Sequence, residues 1–164
     1  MKRMLWLLCL VVILLVSCAR GEVEALSLLE ELMESYGQLP EGQIYCQSAE
    51  EGLPSYLNDS QRRTLYGEKA EDAFPLMSDF AIYLSSRPMP LELAVFQCYS
   101  RTDAHFVAAM CMERGELLRV AFRGTAFDER GDCVRVLVKN RTVIMTVIPD
   151  LGEEGTPKEI TEWW

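Results

Sequence analysis

The sequence predicts an α+β fold: a single small domain with a mostly antiparallel sheet and one long helix packed on it, preceded by an N-terminal signal or anchor helix. Three observations predict it. Two pairs of strand-like runs, 78–85 with 91–99 and 133–139 with 142–148, are each joined by a turn too short for a parallel crossover. A long run of helical period stands between the pairs. An uncharged apolar run opens the chain behind two basic residues. The 164 residues are a one-domain length, and 49% hydrophobic with 25% charged is enough apolar content for a core.

The first element is the N-terminal run. Lys2 and Arg3 precede Met4 to Val16, which carry no charge, the pattern of a signal peptide. The uncharged stretch 4–19 covers roughly 24 Å as a helix, short for a hydrocarbon core of ~30 Å. Leu15-Val16-Ser17-Cys18 follows at once and resembles the lipobox of bacterial lipoproteins. The resemblance implies a diacylglycerol on the Cys18 thiol and cleavage before it, with small Ser17 giving the peptidase access. Two acyl chains anchor stably where one is marginal. The resemblance therefore places the chain on the extracytoplasmic face of the cell membrane, with lipid attachment at Cys18. The alternatives are an uncleaved single-pass helix and a secretory signal cut near Ala19. With the positive residues ahead of the apolar run, an anchored chain lies mostly outside the cytoplasm.

The remaining elements follow in order. Residues 22–36 read as a helix: Leu26, Leu29, Leu32, Met33 and Tyr36 keep three-four spacing, the glutamates fill the other side, and Gly37 stops it. Residues 42–48 form a short strand. Asp59 or Ser60 caps a short helix that ends at Tyr66-Gly67. Residues 78–85 alternate, with Phe80, Ile82 and Leu84 on one face. After the turn Ser86-Arg87-Pro88-Met89-Pro90, residues 91–99 are apolar on both faces, as in a central strand covered on each side. Thr102 or Asp103 caps the long helix, which runs to about Arg123 before Gly124. Phe106, Val107, Ala109, Met110, Cys111, Leu117, Leu118, Val120 and Ala121 make its apolar stripe. The strands 133–139 and 142–148 turn at Asn140-Arg141, where Asn suits a tight hairpin. The organisation expected is 1–17 signal peptide, 18–42 lipid-attached N-terminus and amphipathic helix, 43–150 α+β domain, and 151–164 polar tail ending in Trp163-Trp164.

From about Ile44 to Asp150 the chain also resembles a domain family of unknown function found in lipoproteins of Gram-positive, clostridial-type bacteria. Residues 79–85, Pro90-Leu91-Glu92-Leu93-Ala94-Val95-Phe96, the long helix with Arg114, and the hairpin 134–148 carry the resemblance. It spans about two thirds of the chain, implies an anchored envelope protein, and brings no catalytic residues.

Charge excludes one partner class. The net charge is -9; without residues 1–17 it is -11, 14 basic against 25 acidic residues. Such a chain is repelled by phosphate backbones and by anionic lipid headgroups, so no nucleic-acid partner is expected, and membrane attachment is expected through the N-terminus and not through a basic face. Its partner is then the membrane, with an envelope protein or cell-wall component beside it.

Candidate chemistry is sparse. His105, the one histidine, lies beside Asp103 on the first turn of the long helix and reads as a surface residue; a Ser-His or Cys-His mechanism would need it. There is no nucleophile elbow, no paired-histidine zinc motif and no phosphate-cradling glycine loop. Cys46, Cys98, Cys111 and Cys133 lack the close spacing of a zinc site or a redox pair, and as disulfide partners allow three pairings. Cys98 and Cys111 fall inside element patterns and read as free core thiols. Neither a cofactor nor a metal is expected. Asp128 and Asp132 are the carboxylates that an alternative envelope enzyme would use; the Arg130-Gly131-Asp132 tripeptide between them reads as a polar loop. Asn58-Asp59-Ser60 and Asn140-Arg141-Thr142 match glycosylation sequons, which say nothing of a bacterial lipoprotein. Arg114 reads either as a snorkelling side chain at the stripe's edge or as the partner of a sheet carboxylate such as Glu92, or of a ligand anion. The function expected is a non-catalytic binding or structural envelope lipoprotein.

Overall fold

The Glu24 side chain accepts no capping hydrogen bond, yet a helix starts at the next residue, whose amide finds a partner on a distant strand. In the computed structural model, which describes residues 24–125, 127–128 and 134–148, this is α1 (Ala25–Ser35). Ala25 N donates to Asp79 Oδ2 at 2.8 Å, so a sheet carboxylate serves as the cap at the positive end of the helix. The other elements are β1 (Gly42–Cys46), α2 (Asp59–Tyr66), α3 (Ala70–Ala73) with a 3-10 turn (Phe74–Leu76), β2 (Met77–Ser85), β3 (Glu92–Cys98), α4 (Arg101–Ala121), β4 (Val134–Lys139) and β5 (Thr142–Val147). Of these, α3 and the 3-10 turn are absent from the sequence reading. They are too short to carry a helical period.

The five strands form one antiparallel sheet in the order β1-β2-β3-β5-β4. The fold is therefore α+β as the sequence predicts, and β3 is the central strand that its two apolar faces demanded. Ala94, Phe96 and Cys98 point to the face covered by α2, α3 and α4; Leu93 and Val95 point to the face covered by α1. The long helix thus packs on one face only, and the N-terminal amphipathic helix closes the other. Gly115 lets α4 lie close on the edge strand: a Cβ there would stand 2.9 Å from Val134 Cγ2.

Three local expectations are corrected. The cap of α2 is Asn58, not Asp59 or Ser60. Its side chain accepts from Gln61 N and the Gln61 side chain answers to Asn58 N, both at 2.9 Å, which is a full capping box. The cap of α4 is Ser100, whose hydroxyl accepts from Asp103 N at 3.1 Å, not Thr102 or Asp103. The stripe on α4 is wider than the sheet can cover. Val107, Met110, Cys111 and Leu118 are buried, whereas Phe106, Leu117 and Val120 face outward. The β4–β5 hairpin turns at Asn140-Arg141 as expected, with Asn140 at φ 55.

Candidate functional site

Glu92 lies inside a core of hydrocarbon with 1% of its surface exposed. A buried carboxylate is costly unless donors surround it. Two elements supply them. Tyr66, the last residue of α2, donates its hydroxyl to Glu92 Oε1 at 2.6 Å. Arg114, midway along α4, donates Nε to Glu92 Oε2 at 2.8 Å. The Arg114 guanidinium also stands 5.9 Å from the Tyr66 ring centroid, within cation–π range. Tyr66 in turn meets Phe74 and Phe96 edge-on at 5.8 and 5.9 Å. One carboxylate therefore ties α2, the central strand and α4 together, each oxygen taken by a different element. Of the two readings of Arg114, the ion pair with Glu92 is the one found.

The chemistry of this cluster is that of a closed, satisfied network. Burial and the Glu92 carboxylate beside it push the Tyr66 phenol well above its ordinary range, so it remains a donor. Burial pushes the Cys111 thiol up as well, with Glu92 and Cys98 adding to it. Cys98, 1% exposed, is pushed from 9.0 up to about 11 by burial, with Asp103 adding to it. These are protonated thiols that pack as small hydrophobes, not nucleophiles. Cys46, Cys98 and Cys111 are all free, as expected for the latter two. The sign of the resulting pH dependence follows directly. A thiol whose folded pKa exceeds its unfolded one stabilises fully below pH 9 and loses that contribution as pH rises to about 11. We therefore expect the unfolding free energy from urea titrations to be flat from about pH 7 to the unfolded thiol range and then to fall, by roughly 1.4 kcal/mol per pH unit for each such thiol. An unfolding free energy that stays flat up to pH 11 would refute the burial of these groups.

The other sequence candidates are dispersed. His105 is exposed on α4, and no hydrogen bond or ion pair joins it to a nucleophile among the described residues. Asp128 Oδ2 accepts from Gly124 N at 2.7 Å and so closes the loop after α4. Asp132, with the rest of the Arg-Gly-Asp tripeptide, lies outside the described residues, as do Cys18 and Cys133. Asn58 and Asn140, the sequon asparagines, serve as a helix cap and a turn residue. A cavity of about 190 Å³ opens between α2 and the β1–β2 edge, lined by Tyr45, Leu57, Ser60, Gln61, Thr64, Leu65 and Leu84. It is below the size of ordinary ligand sites, and neither Glu92 nor Arg114 reaches it.

Among the described residues no three His, Cys, Asp or Glu side chains group to hold a metal, and no helix is long and apolar enough to cross a membrane. Sequence reasoning missed Tyr66, taking it only as a helix end. The available signal was a large aromatic with a polar tip one residue before the stop glycine. No family model matches the chain, and no curated protein or solved structure matches it.

Proposed function

We propose that the chain is an extracytoplasmic envelope lipoprotein, held on the membrane by lipid on Cys18, whose folded body acts as a non-catalytic binding or structural module. One observation carries the reading: Leu15-Val16-Ser17-Cys18 stands directly behind a basic start and an uncharged apolar run. The sulfur at Cys18 is the nucleophile that lipid transfer requires, and small Ser17 leaves the bond before it open to cleavage. The Glu92 network supports the non-catalytic half. Both carboxylate oxygens are engaged by donors of the chain itself and the side chain is buried, so Glu92 ties the core together and is not open to a substrate.

The test is incorporation of a labelled fatty acid into the wild type and into Cys18→Ala. We expect label in the wild type alone, together with loss of Cys18→Ala from the membrane fraction. Absence of label from both, with the wild type still in the membrane, would replace the lipid anchor by an uncleaved helix.

A further inference from the structure

We infer that two copies of the chain join through β4, edge to edge, so that the sheet continues antiparallel across a two-fold axis at Val136. An edge strand shows unpaired N–H and C=O groups to whatever can match them, and this sheet has two edges, β1 and β4. The two are treated differently. On β1 the outward groups are met from within the chain. Cys46 N donates to Ser55 O and Cys46 O accepts from Ala49 N, both at 3.2 Å, and the Gln43 side chain donates to Ile44 O at 2.9 Å. Among the described residues β4 has no such cover.

The register says which groups β4 leaves open. Cys98 N donates to Arg141 O at 2.8 Å, so the odd residues of β5 bond to β3 and the even ones to β4. Thr142, Ile144 and Thr146 pair with Lys139, Leu137 and Arg135. The backbone groups of Val134, Val136 and Val138 therefore point away from the sheet. Their side chains pack, half-buried, on the α4 side.

Self-complementarity names the occupant. With Val136 opposite Val136 of the second copy, Val134 faces Val138 and Val138 faces Val134. Each of these pairs exchanges two backbone hydrogen bonds. Arg135 then lies opposite Leu137, and Lys139 falls beyond Val134 of the second copy. Sliding the second copy by two residues costs one pair. It also sets Arg135 against Arg135 or against Lys139, like charges directly opposite, which destabilise a ladder. One register wins on both counts. The acidic body repels its copy at long range, but β4 carries no carboxylate and physiological salt screens the rest.

The helices leave room. α4 packs over β3, β5 and β4. In the joined sheet β5 and its copy stand three strand spacings apart, roughly 14 Å, wider than the ~8–10 Å between packed helices. Met112 faces that gap. It lies one turn before Gly115, which faces Val134, and it is 57% exposed. Leu117 marks the opposite flank of α4, beside Gly67 at the end of α2. The two-fold brings Met112 of both copies into the space between the helices, where a flexible thioether fills irregular gaps. The pairing does not rest on the lipid anchor. It is compatible with it, because an axis through the sheet keeps α1 of both copies on one face.

The test is sedimentation of the full chain in detergent at physiological salt, with circular dichroism and amide hydrogen exchange, for the wild type, Val136→Pro and Met112→Glu. Val136→Pro removes an N–H that β5 does not use, a position where an edge strand accepts proline. Met112→Glu charges an exposed position and spares the fold should the proline not. We expect the wild type to sediment as a dimer and each folded variant at half that mass. In the wild type the amides of Val134, Val136 and Val138 should be protected along with those of Arg135, Leu137 and Lys139. In the variants only the latter three, which bond to β5, should stay protected.

A wild type that sediments as a monomer overturns the inference. So does a dimer whose Val134, Val136 and Val138 amides exchange freely, or one that persists in both variants; either places the contact elsewhere, the N-terminal segment included.

Discussion

Replacing Arg114 by methionine should destabilise the domain by about 3–5 kcal/mol, because it leaves Glu92 charged inside the core with one oxygen unmet. Only 1% of the Glu92 side chain reaches solvent, so water cannot take over the lost bond. Arg114 itself keeps 13% exposure, so the cost lies with the stranded carboxylate more than with the missing guanidinium. Urea denaturation of residues 19–164, followed by circular dichroism, measures it. The triple variant Tyr66→Phe/Glu92→Met/Arg114→Met removes carboxylate and donors together and should regain most of the loss, since no polar group is then stranded. A loss under about 1 kcal/mol for Arg114→Met would show that the pair does not organise the core.

Truncating Phe96 should cost about as much by a different route. Its ring is fully buried in the central strand, 5.9 Å from the Tyr66 ring and 6.4 Å from that of Phe74. Phe96→Ala removes a fully buried ring from contact with Tyr66 and Phe74, and a loss of ~3–5 kcal/mol is expected from transfer and cavity together. Phe106→Ala is the control. That side chain is 40% exposed on the outer side of α4, and its loss should stay within about 0.5 kcal/mol. Comparable losses at the two positions would mean that the outer stripe of α4 is covered in solution.

The two predictions differ in how far the sequence foretold them. Phe96 was legible: an apolar residue inside a run with apolar residues on both faces belongs to a strand buried on both faces, whatever the rest of the chain does. The hairpin at Asn140 was legible for the same kind of reason, since an asparagine between two alternating runs accepts the positive φ the turn needs. Glu92 was only half legible. A single acid between Leu91 and Leu93 announces a buried charge in want of a partner. Its donors come from 26 residues before it and 22 after it, separations at which no local period speaks.

By itself the sequence determined what depends on neighbours along the chain. These are the basic-then-apolar start with Cys18 behind it, the α+β order of elements, the antiparallel hairpins and the central place of 92–98. Local backbone preference and the periods of 2 and 3.6 residues decide those, and both are written in consecutive residues. The tertiary structure decided what depends on register and packing. It gave α1 the second face of the sheet, chose both donors of Glu92, turned Phe106, Leu117 and Val120 outward, and brought Arg101 against Asn140 across 39 residues. Each of these is a meeting of side chains from separate elements. Which of them meet is settled only when the whole core closes at once, because a strand shifted by one residue would send its own side chains, Glu92 among them, to the other face.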